Sequence, residues 1–127
     1  MIKGIESILI GSENAKELAE FYKNVVGLEQ SAEMEIGEEG KKGYEFSMKG
    51  TSLYITDHSQ VNGKNQNPER IMFNLEVDDI EKEAKRLDEK GIKKHQDIYH
   101  VEGYGLIATF VDPDGNFFQL VQVRAGN

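Results

Sequence analysis

The sequence predicts an α+β chain made of two βαβββ modules, and three observations carry that prediction. The first is the stretch Phe110–Val121, where two apolar runs flank Asp112-Pro113-Asp114-Gly115. Proline presets φ for a central turn position, aspartates bond back to nearby amides and glycine takes positive φ, so the stretch reads as a hairpin between core strands. The second is a fainter copy 65 residues earlier, Ser47-Met48-Lys49-Gly50-Thr51-Ser52-Leu53-Tyr54-Ile55, in which Gly50 meets Gly115, Tyr54 meets Gln119 and Ile55 meets Leu120. The third is that the same offset carries Ser7 onto Met72, Asn14 onto Asp79 and Ala19 onto Ala84. One register holding across strand, cap, helix and hairpin indicates a duplication.

Taken in order, Ile5–Ile10 is a short β-rich run, apolar enough for a mostly buried strand, ended by Gly11 and Ser12. Asn14 with Glu17 three residues on gives a capping-box signal; Leu18, Phe21, Tyr22 and Val25 recur at helical spacing, and Gly27 supplies a left-handed stop. Gln30–Ile36 alternates as an exposed strand, the glycine-punctuated segment Gly37–Gly43 is a hairpin tip, and Tyr44–Met48 and Leu53–Ile55 return as strands. Residues 58–69, rich in Asn, Gly and Gln and without periodicity, read as a linker between modules 1–57 and 70–127 of one 127-residue domain.

The second module repeats the plan. Ile71–Val77 is a strand, with Phe73, Leu75 and Val77 on one face and Met72, Asn74 and Glu76 on the other. Asp78 is expected to cap a helix with Glu81 in the capping-box place; Ile80, Ala84 and Leu87 form its apolar stripe, and Gly91 ends it. Gln96–Val101 is a weaker strand, Glu102–Gly105 a turn, and Leu106–Val111 with Asn116–Val123 the final hairpin.

Composition bounds the partners. The net charge of −8 would repel phosphate backbones and anionic membranes, so neither nucleic acid nor a membrane is expected. There is no cysteine, hence no disulfide framework, thiol nucleophile or thiolate metal site. No apolar run approaches a membrane span and no signal-peptide pattern is present, which together predict a cytoplasmic protein.

The opening strand, Asn14 with Leu18-Ala19-Glu20-Phe21-Tyr22 and Val25-Val26-Gly27-Leu28, then Phe73–Ile80 and Asp112-Pro113-Asp114-Gly115-Asn116, follow one another in a familiar order. The whole chain resembles the vicinal oxygen chelate superfamily, which includes glyoxalase I, fosfomycin-resistance proteins, extradiol dioxygenases and bleomycin-resistance proteins. The resemblance implies two βαβββ modules that form a curved mixed sheet around a cup, and a divalent metal held there by His and Glu from the first and last strands of each module. Transferred one at a time, those positions fall on Ser7, Tyr54, Met72 and Gln119. A hydroxyl, a phenol, a thioether and an amide are not the imidazole and carboxylate set that a catalytic divalent ion needs. No metal and no cofactor are therefore expected.

Other chemistry is sparse. His58 and His95 read as solvated loop residues, whereas His100 and Glu102 share a strand face by period two and could reach a ligand. Asp112 and Asp114 are accounted for by the turn, the Glu33, Glu35, Glu38, Glu39 cluster is a solvated face, and Tyr44, Phe46 and Phe117 belong to the core. Nucleophile-elbow, phosphate-loop and dinucleotide patterns are absent. The expectation is a small-molecule-binding protein, with Ser7, Tyr54, Met72, Gln119, His100 and Glu102 as its ligand-binding residues and an aromatic or cationic compound as its ligand. Two alternatives stand beside it. One is an enzyme with relocated metal ligands or metal-free acid–base chemistry on Tyr54, His100 and Glu102; the other is an interaction module whose cup is filled by its own side chains. The resemblance further implies a symmetric homodimer, with the cup closed within one chain or between two.

Overall fold

The duplication is visible bond by bond in the computed structural model, which describes residues 1–37 and 40–124. Glu38 and Glu39, expected in a hairpin tip, lie outside the described residues. The chain divides into two compact units, Met1–Gly63 and Lys64–Asn127. The first contains β1 (Ser7–Ser12), α1 (Ala15–Glu20) with a π-helical extension (Phe21–Val26), β2 (Gln30–Glu35), β3 (Lys42–Met48) and β4 (Thr51–Asp57). The second contains β5 (Phe73–Glu76), α2 (Ile80–Glu89), β6 (Lys94–Val101), β7 (Gly105–Val111) and β8 (Phe117–Val123). Each unit has one four-stranded mixed sheet, ordered β1-β4-β3-β2 in the first and β5-β8-β7-β6 in the second. In each, the first strand runs parallel to the last and the remaining pairs are antiparallel.

The 65-residue offset holds at single-residue resolution. Leu9 is registered with Tyr54 and Ile10 with Ile55 in the first sheet; Asn74 is registered with Gln119 and Leu75 with Leu120 in the second. The helix starts match too. Asp57 Oδ1 accepts from the Ala15 amide at 2.9 Å, and its equivalent Gln122 accepts through Oε1 from the Ile80 amide at 2.9 Å. Each last strand therefore satisfies one of the amides that a helix N-terminus leaves without an intrahelical partner.

Packing explains the faces. Ala15, Leu18, Ala19, Phe21, Tyr22 and Val26 of the first helix are buried, as are Tyr44, Phe46, Leu53 and Ile55 of the sheet it covers. In the second unit Ile80, Ala84 and Leu87 are buried with Leu75, Ala108, Phe110, Phe118 and Leu120. Period-two alternation then puts the intervening residues of each sheet on the face opposite its helix.

Two expectations are corrected. The second helix is capped by Asp79, whose carboxylate accepts from the Lys82 amide at 3.2 Å, and not by Asp78. That restores the match to Asn14, which accepts from the Glu17 amide at 3.1 Å. The first helix is not α-helical to its end: the amides of Gly27 and Leu28 both donate to the Tyr22 carbonyl, at 3.0 and 2.8 Å. The widened turn keeps Leu18, Tyr22 and Val26, four residues apart, toward the sheet, so Val26 is buried where Val25 had been expected. Segment 58–69, expected as a linker, makes backbone hydrogen bonds to each unit in turn. The His58 amide bonds to the Ser12 carbonyl at 2.9 Å in the first unit, and the Asn65 amide to the Asp114 carbonyl at 2.8 Å in the second.

The Asp-Pro-Asp-Gly hairpin forms as its chemistry dictates. Asp112 is 4% exposed, and its Oδ1 accepts from the amides of Asp114 and Asn116, each at 2.9 Å, while Oδ2 accepts from Asn116 Nδ2 at 3.1 Å. Gly115 takes φ of 81° and donates to the Asp112 carbonyl at 3.0 Å.

Candidate ligand site

Each sheet carries a cross-strand polar pair on the face opposite its helix, Tyr54–Glu45 and Gln119–Thr109, and the two pairs involve equivalent last-strand positions. In the first unit the row is Leu9, Tyr54, Glu45; in the second it is Asn74, Gln119, Thr109. The Tyr54 hydroxyl donates to Glu45 Oε2 at 2.6 Å, short enough for a charge-assisted bond. Glu45 Oε1 accepts from Ser31 Oγ at 3.1 Å, and Ser31 Oγ accepts in turn from Ser47 Oγ at 3.0 Å. In the second unit Gln119 Nε2 donates to Thr109 Oγ1 at 2.9 Å, and Asn74 Nδ2 meets the Tyr104 hydroxyl at 3.5 Å.

The electrostatics of the first row are set by Glu45. Its carboxylate is half-buried, accepts from two hydroxyls and forms no ion pair with a lysine, arginine or histidine among the described residues. The hydrogen bond to Glu45 raises the Tyr54 phenol above its ordinary value, with burial and the charges of Glu45 and Glu6 adding to it. At neutral pH Tyr54 is thus a fixed donor and not a base.

Ser7 lies two residues before Leu9 on the same face of β1, half-buried and registered with Ser52. Met72 precedes β5 and is 40% exposed. His100 and Glu102 are arranged differently from the expected pair. His100 is registered with Leu106, which places it on the α2 side of its sheet, and its Nε2 lies 3.4 Å from Arg124 Nη1. The strand ends at Val101, so Glu102 belongs to the exposed turn and shares no strand face with His100. His58 is exposed and accepts through Nδ1 from the Gln60 amide at 3.2 Å. His95 is exposed and sits against the Phe117 ring at 4.3 Å.

The four metal-ligand positions do not fit a divalent ion. The Tyr54 proton is committed to Glu45 and the Gln119 amide nitrogen to Thr109, while Ser7 and Met72 offer only a neutral hydroxyl and a thioether. Among the described residues no group of three His, Asp or Glu side chains lies close enough to share a metal ion.

Glu45 and Thr109, the partners of Tyr54 and Gln119, are not among the residues expected from the sequence. A signal for Glu45 existed. Closing the Gly50 turn with the pair Met48–Thr51 obliges residue 45 to face residue 54. The later hairpin closes with Val111–Phe117, a longer loop, so Gln119 faces Thr109 and the simple offset from Glu45 fails by one.

Residues 4–120 match the Glyoxalase/Bleomycin resistance protein/Dioxygenase superfamily. The chain belongs to this superfamily. Its fold agrees with solved members. It is similar to TnmS3, an antibiotic-binding protein from Streptomyces sp. CB03234, at 25% identity and TM-score 0.76, covering 97% of this chain and 98% of that one. It is similar to a glyoxalase family protein from Enterococcus faecalis at 24% identity and TM-score 0.73, covering 94% and 97%. The fosfomycin resistance protein FosX from Listeria monocytogenes shares the fold at 19% identity and TM-score 0.70, covering 98% and 94%. No curated protein matches the sequence. Among the described residues no helix is long and apolar enough to cross a membrane.

Proposed function

We propose that this glyoxalase/bleomycin-resistance superfamily member binds a small organic molecule without a metal, sequestering an aromatic or cationic compound on the sheet faces opposite its helices. The observation that carries this reading is the half-buried Glu45 carboxylate, fixed by Tyr54 and Ser31 and without a cationic partner among the described residues. A carboxylate held among neutral groups favours a cation that can replace its lost hydration. Tyr54 adds a ring face for stacking, worth about 0.5–1.5 kcal/mol beyond buried area. Ser7 adds a hydroxyl on the same face of the first unit, and on its own face the second unit offers the Gln119 amide, with Met72 an adaptable thioether. The similarity to an antibiotic-binding protein is consistent with sequestration. Catalysis by Tyr54 as a base is disfavoured by its raised pKa.

A thermal-shift panel tests the reading. Planar heteroaromatic cations should raise the melting temperature more than carboxylates of the same size, with the difference shrinking as salt screens the charge. Glu45→Gln and Tyr54→Ala should each weaken that binding about tenfold, the loss expected from one charge-assisted contact. Added Ni²⁺ or Zn²⁺ should leave the melting temperature unchanged, since an ion bound only by the folded state must raise it. Preference for anionic thiol conjugates or phosphonates, or parental affinity in the Tyr54 variant, would refute the assignment.

We further expect a symmetric homodimer. Ile5, Leu9, Tyr99 and Val123 are exposed apolar side chains of a kind that a second copy would cover. Light scattering at micromolar concentration should give twice the 14.3 kDa chain mass; a monomer alone would end that claim.

A further inference from the structure

On the α1 side of the first sheet, opposite Glu45 and Tyr54, lies a recess of about 470 Å³ between the helix and the β2–β3 strands. Its lining includes Glu20 and Lys23 on the helix, Glu33 on β2, and Lys42 and Tyr44 on β3. Tyr44 is only 6% exposed, yet its hydroxyl makes no hydrogen bond with any described residue. Nor is that oxygen sealed from the recess, because no fully enclosed side-chain polar atom lacks a partner. The ring is buried while the hydroxyl stays accessible at the recess, where a ligand could take the place of water on it. The π-helical turn supplies Lys23 and the end of the wall; such turns recur at functional sites.

The charges that act on the phenol are acidic, Glu33, Asp57 and Glu20, although Lys16, Lys23 and Lys42 also line the recess. Glu33 stands in register with Tyr44 on the neighbouring strand, and Asp57 and Glu20 complete the surroundings. Asp57 is used structurally, accepting from the amides of Ala15 and Lys42 at 2.9 Å each. The Lys42 ammonium is drawn to Glu35 at 3.4 Å and to Glu33 at 4.0 Å, while Lys16 and Lys23 are exposed on the helix side of the opening. Glu20 forms no ion pair among the described residues. We propose that this recess is a second ligand site, taking a small primary ammonium compound whose N–H groups reach the Tyr44 oxygen and the Glu20 and Glu33 carboxylates. Burial, followed by the charges of Glu33, Asp57 and Glu20, raises the Tyr44 phenol above its ordinary value. It is therefore protonated at neutral pH, with its oxygen lone pairs available to an ammonium donor. The site stands apart from the Glu45 and Tyr54 face, because adjacent residues of β3 point to opposite sides.

Amide-resolved NMR titration with three four-carbon probes, putrescine, 1,4-butanediol and succinate, at physiological salt tests it. Putrescine should shift the resonances of Glu20, Lys23, Glu33 and Tyr44 saturably, whereas the neutral and anionic probes should not. Tyr44→Phe, which keeps the buried ring, and Glu20→Gln should each weaken putrescine about tenfold, and Glu81→Gln on α2 should leave it unchanged. Equal shifts from butanediol or succinate, non-saturable shifts spread over acidic residues of both units, or full affinity in Tyr44→Phe would overturn the proposal.

Discussion

Replacing Gly105 with alanine should destabilise the protein by on the order of 3 kcal/mol, lowering the melting temperature by roughly 10 °C. Gly105 opens β7 with φ of 143°, a conformation that side-chain-bearing residues rarely adopt, and an added Cβ would run into the Gln122 carbonyl oxygen of β8. Strain and collision act together, so the strand pair must shift to accept a single methyl group. Gly103 provides the contrast. Its φ is 82°, but nothing lies within 4 Å of an added Cβ, so Gly103→Ala should cost only about 1 kcal/mol, the conformational part alone. Urea and thermal denaturation of both variants separate the two terms. Equal losses would show that the close approach of Gly105 to β8 has no energetic weight.

Phe118→Ala should cost about 3–5 kcal/mol. The side chain is fully buried and stacks between Phe110, at 5.9 Å between ring centroids, and Phe73, at 6.5 Å. Truncation leaves a cavity that these rings, anchored in β7 and β5, cannot collapse to fill. The next residue tests the alternation of the strand. Gln119 is only part-buried, so Gln119→Ala should alter stability by less than about 1 kcal/mol although it removes the bond to Thr109. A Phe118→Ala loss below about 1.5 kcal/mol would mean that the aromatic stack is not the core of the second unit.

The duplicated architecture was legible because turn and cap chemistry is local. Gly50 and Gly115, and Asn14 and Asp79, are spaced by the same offset, and the strand registers and the Asp57 and Gln122 helix contacts follow it. Where two adjacent residues offered the same chemistry, as Asp78 and Asp79 do, composition alone could not choose between them; the offset from Asn14 could have. The π-helical turn was not legible, since apolar residues at 18, 21, 22, 25 and 26 suit either helix until packing on the sheet selects Val26. Tyr54 and Gln119 were singled out by position, but their partners Glu45 and Thr109 depend on hairpin loop length. His100 and Glu102 share a face by period two only if the strand continues, and it ends at Val101. The Tyr44 recess had no sequence signature, because an apolar alternation reads the residue as core and says nothing of where its hydroxyl ends.

The most direct measurement is amide-resolved NMR mapping of the parent protein and Glu45→Gln with a planar heteroaromatic cation. The account predicts saturable shifts at Ser31, Glu45 and Tyr54, on the face opposite α1, and at Thr109 and Gln119, on the face opposite α2, with the first set much reduced in the variant. Shifts confined to the helix-covered faces, or undiminished at Tyr54 in Glu45→Gln, would contradict it.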